Sequence, residues 1–269
     1  MGEVMTTGRD GVAVPPGQGS PALEIVGLRK AFGDTVAVDD VDLTVSRGSF
    51  FGLVGPNGAG KTTALSMAVG LLRPDGGRSR IFGADVWAEP LRAKELMGVL
   101  PDGLAMPERL TGRELLTFLG QLRGLDRETV ARRTDELLNV MELTAAERTL
   151  VIDYSTGMRK KIGLATALLH APKLLVLDEP FEAVDPVSAA TLKEILKRFV
   201  ASGGSVVLSS HVMALVEEMS DTVAVMDKGK VVAAGPVEEV REGRSLEETF
   251  ARLVGVEAGG GEGLSWLAS

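Results

Sequence analysis

Cysteine is absent from all 269 residues, so neither a disulfide framework nor a thiolate metal site is available to this chain. Basic charge is in deficit: 29 Lys and Arg stand against 37 Asp and Glu, a net charge of -8. A nucleic-acid surface needs a basic stripe, so no nucleic-acid partner is expected. No apolar run approaches the roughly 20 residues of a membrane-spanning helix. No cationic segment followed by an apolar stretch opens the chain, so a secretory signal is not expected either. Internal repeats do not stand out.

What remains is globular in composition, with 45% hydrophobic and 25% charged residues. A chain of this length buries roughly 75% of its unfolded surface, enough for a stable core. Residues 1–21 are rich in Gly and Pro, including Pro15-Pro16-Gly17, and read as a disordered leader. Strands are expected at Leu23–Val26, Val36–Val45, Ser49–Val54, Leu174–Leu177, Ser205–Leu208 and Val223–Met226. Helical spacing marks Thr62–Leu72, Gly112–Leu122, Thr129–Val140, Met158–Leu169 and Ala189–Val200. Strands alternating with helices imply an α/β fold with a mostly parallel, covered sheet. Residues 91–157 read as a helical insertion with its own lobe, and residues 256–269 as a flexible tail containing Trp266-Leu267.

Three segments carry chemistry. Gly55-Pro56-Asn57-Gly58-Ala59-Gly60-Lys61-Thr62-Thr63 follows one expected strand and opens a helix, the context a phosphate-binding loop requires. Its glycines let backbone N–H groups converge on phosphate oxygens, and the helix start adds its positive dipole end. Lys61 is suited to β/γ-phosphate charge and Thr62 to Mg²⁺. Further on, Leu174–Leu177 ends in Asp178-Glu179, and carboxylates closing a buried strand need a cation or polar partner. Asp178 suits the Mg²⁺ shell, while Glu179 is placed to polarise a water for attack on the γ-phosphate.

Between them lies Tyr154-Ser155-Thr156-Gly157-Met158, where Ser155 reads as a helix N-cap and Gly157 allows close backbone approach. Arg159-Lys160-Lys161 then crowd a helix start, where cations oppose the dipole. Either that end faces the triphosphate of another copy, or the three form a solvated basic face. His170, at the end of the same helix, reads as structural, since a C-terminal histidine is favourable there.

In this order the segments resemble the nucleotide-binding domain of an ATP-binding-cassette (ABC) transporter, over residues 22–255. The resemblance implies a P-loop NTPase core, an N-terminal antiparallel β subdomain and the inserted helical subdomain. It also implies ATP and Mg²⁺ as ligands, sandwiched between one subunit's phosphate loop and the other's signature segment in a homodimer or heterodimer. The family signature reads Ser-Gly-Gly-Gln, and this chain has Ser155-Thr156-Gly157-Met158. By the same comparison Phe32 matches the aromatic that stacks on adenine, although alone it reads more often as a core residue. His211 matches the switch histidine, and Asp185 the loop crossing the dimer interface, where a helix cap is the plainer alternative. Asp102 stands where the family has Gln linking Mg²⁺ to the transporter-facing loop, a departure that adds negative charge. Leu110–Leu115 and Leu246–Phe250 resemble the exporter branch, implying drug, antibiotic or lipid export.

These similarities imply an ATPase at the cytoplasmic face of the cell membrane, peripheral and paired with a separate integral membrane permease. The exposed loop from Gly103 to Pro107 is the expected docking surface. A soluble ABC-type ATPase acting as a switch is the alternative. A P-loop kinase is disfavoured by the signature segment and Glu179.

Overall fold

The computed structural model describes residues 19–103 and 105–254. Most of the expected leader, the tail with Trp266-Leu267, and Leu104 of the docking loop lie outside the described residues.

Two sheets organise the chain. In the first, β1 (Leu23–Phe32) forms a hairpin with β2 (Thr35–Val45) and pairs on its other edge with β4 (Gly76–Ile81), which pairs with β5 (Ala84–Asp85); every pairing is antiparallel. The second sheet runs β10-β9-β3-β8-β7-β6, comprising Lys230–Pro236, Thr222–Asp227, Phe50–Val54, Ser205–Ser210, Leu174–Asp178 and Met97–Leu100. All its neighbours are parallel except β9 and β10. Strands β3, β7 and β8 are buried along their whole length, as parallel strands covered on both faces must be.

Side-chain alternation assigns the two faces of this sheet to two cores. Leu175, Leu177, Val206 and Leu208 pack with Leu115, Leu116, Leu138 and Ile162 from the helical side. Leu53, Val176, Val207 and Ala224 pack with Leu65 and Met67 and with Leu23, Ile25 and Val38 of the antiparallel sheet. Each Val, Leu, Ile or Met among these contributes about 1.5–3 kcal/mol by leaving water.

The helices are α1 (Lys61–Ala68), α2 (Pro90–Leu96), α3 (Gly112–Leu122), α4 (Arg127–Val140), α5 (Thr156–Leu168), α6 (Pro186–Ala201), α7 (Met213–Met219), α8 (Val237–Arg241) and α9 (Leu246–Val254). Helix α3 opens with a reciprocal capping box: Thr111 accepts from the Glu114 N–H at 3.2 Å, and Glu114 accepts from the Thr111 N–H at 2.9 Å.

The expected helical insertion over residues 91–157 needs correction at its start. Met97–Leu100 is a strand of the main sheet, in register with Leu174–Leu177, and it separates α2 from the helices α3 and α4 that follow. A four-residue apolar run directly following a helix carries too little period-2 signal to declare itself. It is kept in place by Gly98, where a Cβ would come within 2.1 Å of the Ala167 carbonyl on α5. Strand β4 opens on Gly76-Gly77, a pair that favours turns over strands, so the sequence does not announce it. Helix α1 ends at Ala68, four residues short of the expected end.

Candidate nucleotide site

The loop between β3 and α1 sits at the carboxyl end of the parallel strands, where open α/β sheets place their ligands. Gly60 is the N-cap of α1 at φ 100°, and a Cβ there would lie 2.4 Å from the Ala37 carbonyl. No other residue type fits that position without moving β2. Gly58, at φ 81°, faces open space and leaves the loop's N–H groups approachable.

Phe32, Ala37, the residues from Asn57 to Thr63, Asp102, Glu179, Glu182 and His211 line one open cleft of about 510 Å³. Phe32 is 52% exposed at the end of β1, so it is a presented aromatic face and not a core residue. Lys30 Nζ lies 5.6 Å from its ring centroid and is anchored by Asp75 at 2.8 Å. Asp75 also accepts from the Ala31 N–H, and the two bonds hold its carboxyl below the ordinary range, the Lys30 bond being the stronger cause.

Lys61 is buried and satisfied. Its ammonium donates to the Gly55 and Pro56 carbonyls at 2.7 and 3.2 Å and lies 3.5 Å from Glu179 Oε1. The second carboxylate oxygen of Glu179 is 3.0 Å from His211 Nδ1. Asp178, 4% exposed, accepts from the Ser209 hydroxyl, whose oxygen in turn accepts from the Glu179 N–H at 2.9 Å. Ser209 thus ties both acidic residues to β8. The sequence signalled it only as a polar end to a buried strand, and its specific role was missed.

Gly55 to Thr63, Asp178, Glu179 and His211 therefore come together at one end of the sheet. Asp102 lines the same cleft, with Oδ1 bonded to the Gly103 N–H at 2.9 Å and 3.7 Å from Lys160 Nζ. Among the described residues no group of three or more acidic or histidine side chains converges as a metal cluster. Thr62 and Asp102 line the cleft, and their hydroxyl and carboxylate, with the strand-end carboxylate of Asp178, are the hard-oxygen donors suited to Mg²⁺ bound mainly through phosphate and water.

Ser155, Gly157 and Asp185 do not line this cleft. Ser155 caps α5, accepting from the Met158 N–H at 3.2 Å. Asp185 caps α6 by accepting from Val187 and Ser188 N–H groups at 3.1 and 2.9 Å; the Ser188 N–H chiefly lowers its carboxyl below the usual range. The plainer alternative of a helix cap therefore describes Asp185 in the single chain.

The cations at the start of α5 all have partners within the chain. Arg159 contacts Glu108 at 3.2 Å, Lys160 donates to the Glu179 carbonyl at 2.8 Å, and Lys161 pairs with Glu142 at 2.8 Å. His170 is structural as expected, but as a neutral ring: burial, then Arg123, pushes it down to about 4, while Nε2 bonds the Met97 carbonyl at 2.9 Å.

A parallel sheet ending in a phosphate loop, with a buried lysine against a strand-end glutamate, defines a P-loop nucleoside triphosphatase. Residues 38–182 match the family model described as ABC transporter. The chain is 38% identical over 236 residues to the daunorubicin/doxorubicin resistance ATP-binding protein DrrA of Streptomyces peucetius, covering 88% of this chain and 71% of that protein. It is 34% identical over 213 residues to the linearmycin resistance ATP-binding protein LnrL of Bacillus subtilis, covering 79% and 68% respectively. A solved structure of an ATP binding subunit of an ABC transporter superposes with a TM-score of 0.80 at 29% identity, over 87% of this chain and 99% of that one. The chain belongs to the ABC transporter family, as an ATP-binding and ATP-hydrolysing subunit.

Proposed function

We propose that this subunit powers an exporter of drugs, antibiotics or lipids, working as a head-to-tail dimer at the cytoplasmic face of the membrane beside a separate integral membrane permease. The observation that carries the catalytic half is the cluster of Lys61, Glu179 and His211 within hydrogen-bonding or ion-pair distance at the phosphate loop. The export half is supported by the names of the relatives, which concern daunorubicin, doxorubicin and linearmycin resistance. Among the described residues no helix is long and apolar enough to cross a membrane, so in this reading the spans belong to the partner.

In the proposed cycle Phe32 stacks on adenine, and backbone N–H groups from Gly55 to Thr63 bind the phosphates. Lys61 neutralises charge at the β/γ-phosphates. Thr62, Asp178 and Asp102 would hold Mg²⁺, which when bound supplies charge neutralisation on the phosphate oxygens. Glu179 accepts a proton from the water that attacks the γ-phosphorus, and His211 holds the other carboxylate oxygen. A positioned base of this kind contributes about 10²–10⁴ in rate. Ser155 and Gly157 of a second copy would complete the site from outside. The separation of these residues from their own cleft supports that arrangement, and because one sequence carries both halves, a homodimer suffices.

Pull-down from membranes with Glu179→Gln in Mg-ATP tests the assembly. A multi-span protein enriched in the eluate is the expected result. Soluble partners only, recovered with a chain that still dimerises on ATP, would instead indicate a non-transport ATPase.

A further inference from the structure

Glu179 has a backbone conformation that needs external support. Its φ is 45°, in the left-handed region that a non-glycine residue holds only when its surroundings fix it. Ser209 accepts from its N–H at 2.9 Å, and Lys160 donates to its carbonyl at 2.8 Å. Lys160 belongs to α5, whose N-terminus carries Ser155 and Gly157. Its ammonium also lies 3.7 Å from Asp102 Oδ1, and its side chain is only 15% exposed. A cation this sheltered from water depends on those acceptors. One side chain therefore joins three separate segments: the helix of the signature, the strand-end glutamate and the loop bearing Asp102.

We propose that Lys160 is a positioning residue for ATP hydrolysis. It holds the Glu179 backbone in its left-handed conformation and makes the aim of that carboxylate depend on where α5 sits, while Asp102 anchors the same ammonium. The proposal rests on the reading of Glu179 as the group that activates water. Displacement of α5, whose start would meet the second ATP, is then carried to Glu179 without Lys160 touching substrate. Asp102 acquires a role beside the metal: its charge is balanced by Lys160.

The test uses the full chain and compares wild type, Lys160→Met, Lys160→Arg, Asp102→Asn and Glu179→Gln. Turnover at saturating Mg-ATP, equilibrium ATP affinity and the Mg²⁺ concentration dependence are measured for each. Lys160→Met is expected to lose about tenfold to a hundredfold in kcat, the scale of a misaimed catalytic group. ATP affinity should stay within about twofold, since the lost contact is not to nucleotide. Lys160→Arg should recover most of the loss. Asp102→Asn should lower kcat in the wild type even at saturating Mg²⁺, and add nothing in the Lys160→Met background, because the two share one contact.

Wild-type kcat in Lys160→Met overturns the proposal. Should Lys160→Met fail to fold, Asp102→Asn decides: loss of turnover only at limiting Mg²⁺, with none at saturation, overturns it. Wild-type turnover by Glu179→Gln would instead reject the underlying reading of Glu179, so the two failures are distinguishable.

Discussion

Gly157 and Asp185 abut within the same chain: a Cβ on Gly157 would lie 2.9 Å from Asp185 Oδ2 and 3.0 Å from Ser188 Oγ. The start of α5 and the cap of α6 are therefore one packed unit, with no room for a side chain between them. If both segments face a second copy of the chain, their joint surface is what that copy's nucleotide meets.

Gly157→Val should therefore push the Asp185 cap aside while leaving the phosphate loop intact. ATP affinity of the isolated chain should stay near wild type. Hydrolysis should fall by about a hundredfold or more, as expected when a group contacting the transition state is misplaced. Nucleotide titration beside a turnover assay separates the two effects, and parallel losses in both would argue against a split site.

Phe32 is half exposed and supported on one side by Lys30, so it presents a flat apolar surface at the edge of the cleft. Replacing it with Ala should weaken ATP binding by about 1–3 kcal/mol, the scale of a lost base–aromatic stack. Phe32→Tyr should retain most of the affinity. An unchanged dissociation constant in Phe32→Ala would remove the residue from the site.

Gly98→Ala tests the docking of β6 against α5, because the new methyl would meet the Ala167 carbonyl at 2.1 Å. Backbone cannot yield as a flexible side chain does. Destabilisation of about 1–3 kcal/mol is expected, as for other overpacked cores, and urea unfolding measures it directly.

His170 predicts an acid-sensitive component of stability. Its ring is pushed from 6.5 down to about 4 in the folded chain, by burial first and by Arg123 next, with Arg133 acting in the same direction. Between those values the unfolded chain binds a proton that the folded chain does not. Stability contributed by the neutral ring is thus present above about pH 6.5 and lost as pH falls toward 4. A His170→Gln variant should show a flatter decline over that window in urea unfolding. Parallel curves would contradict the assignment.

Much of this site was legible because its parts are continuous in sequence. The phosphate loop from Gly55 to Thr63 and the pair Asp178-Glu179 are short segments whose chemistry depends on neighbours along the chain. His211 and Phe32 could be found only by resemblance, since nothing local distinguishes a cleft residue from a buried one. The contacts that give Lys160 and Ser209 their roles were not legible, because their partners lie 19 and 30 residues away in sequence and meet them only through folding. Strand β6 was missed for the opposite reason: its four residues continue a helical run, and the sheet claims them only because β7 offers an open edge.

In the proposed dimer Glu179 acts from one copy while Ser155 and Gly157 act from another. The most direct measurement is the molar mass of Glu179→Gln in solution by light scattering, with and without Mg-ATP. A dimer with ATP is expected, one that reverts to monomer when nucleotide is removed and that Gly157→Val in the same background abolishes. A chain that binds ATP yet stays monomeric would contradict this arrangement.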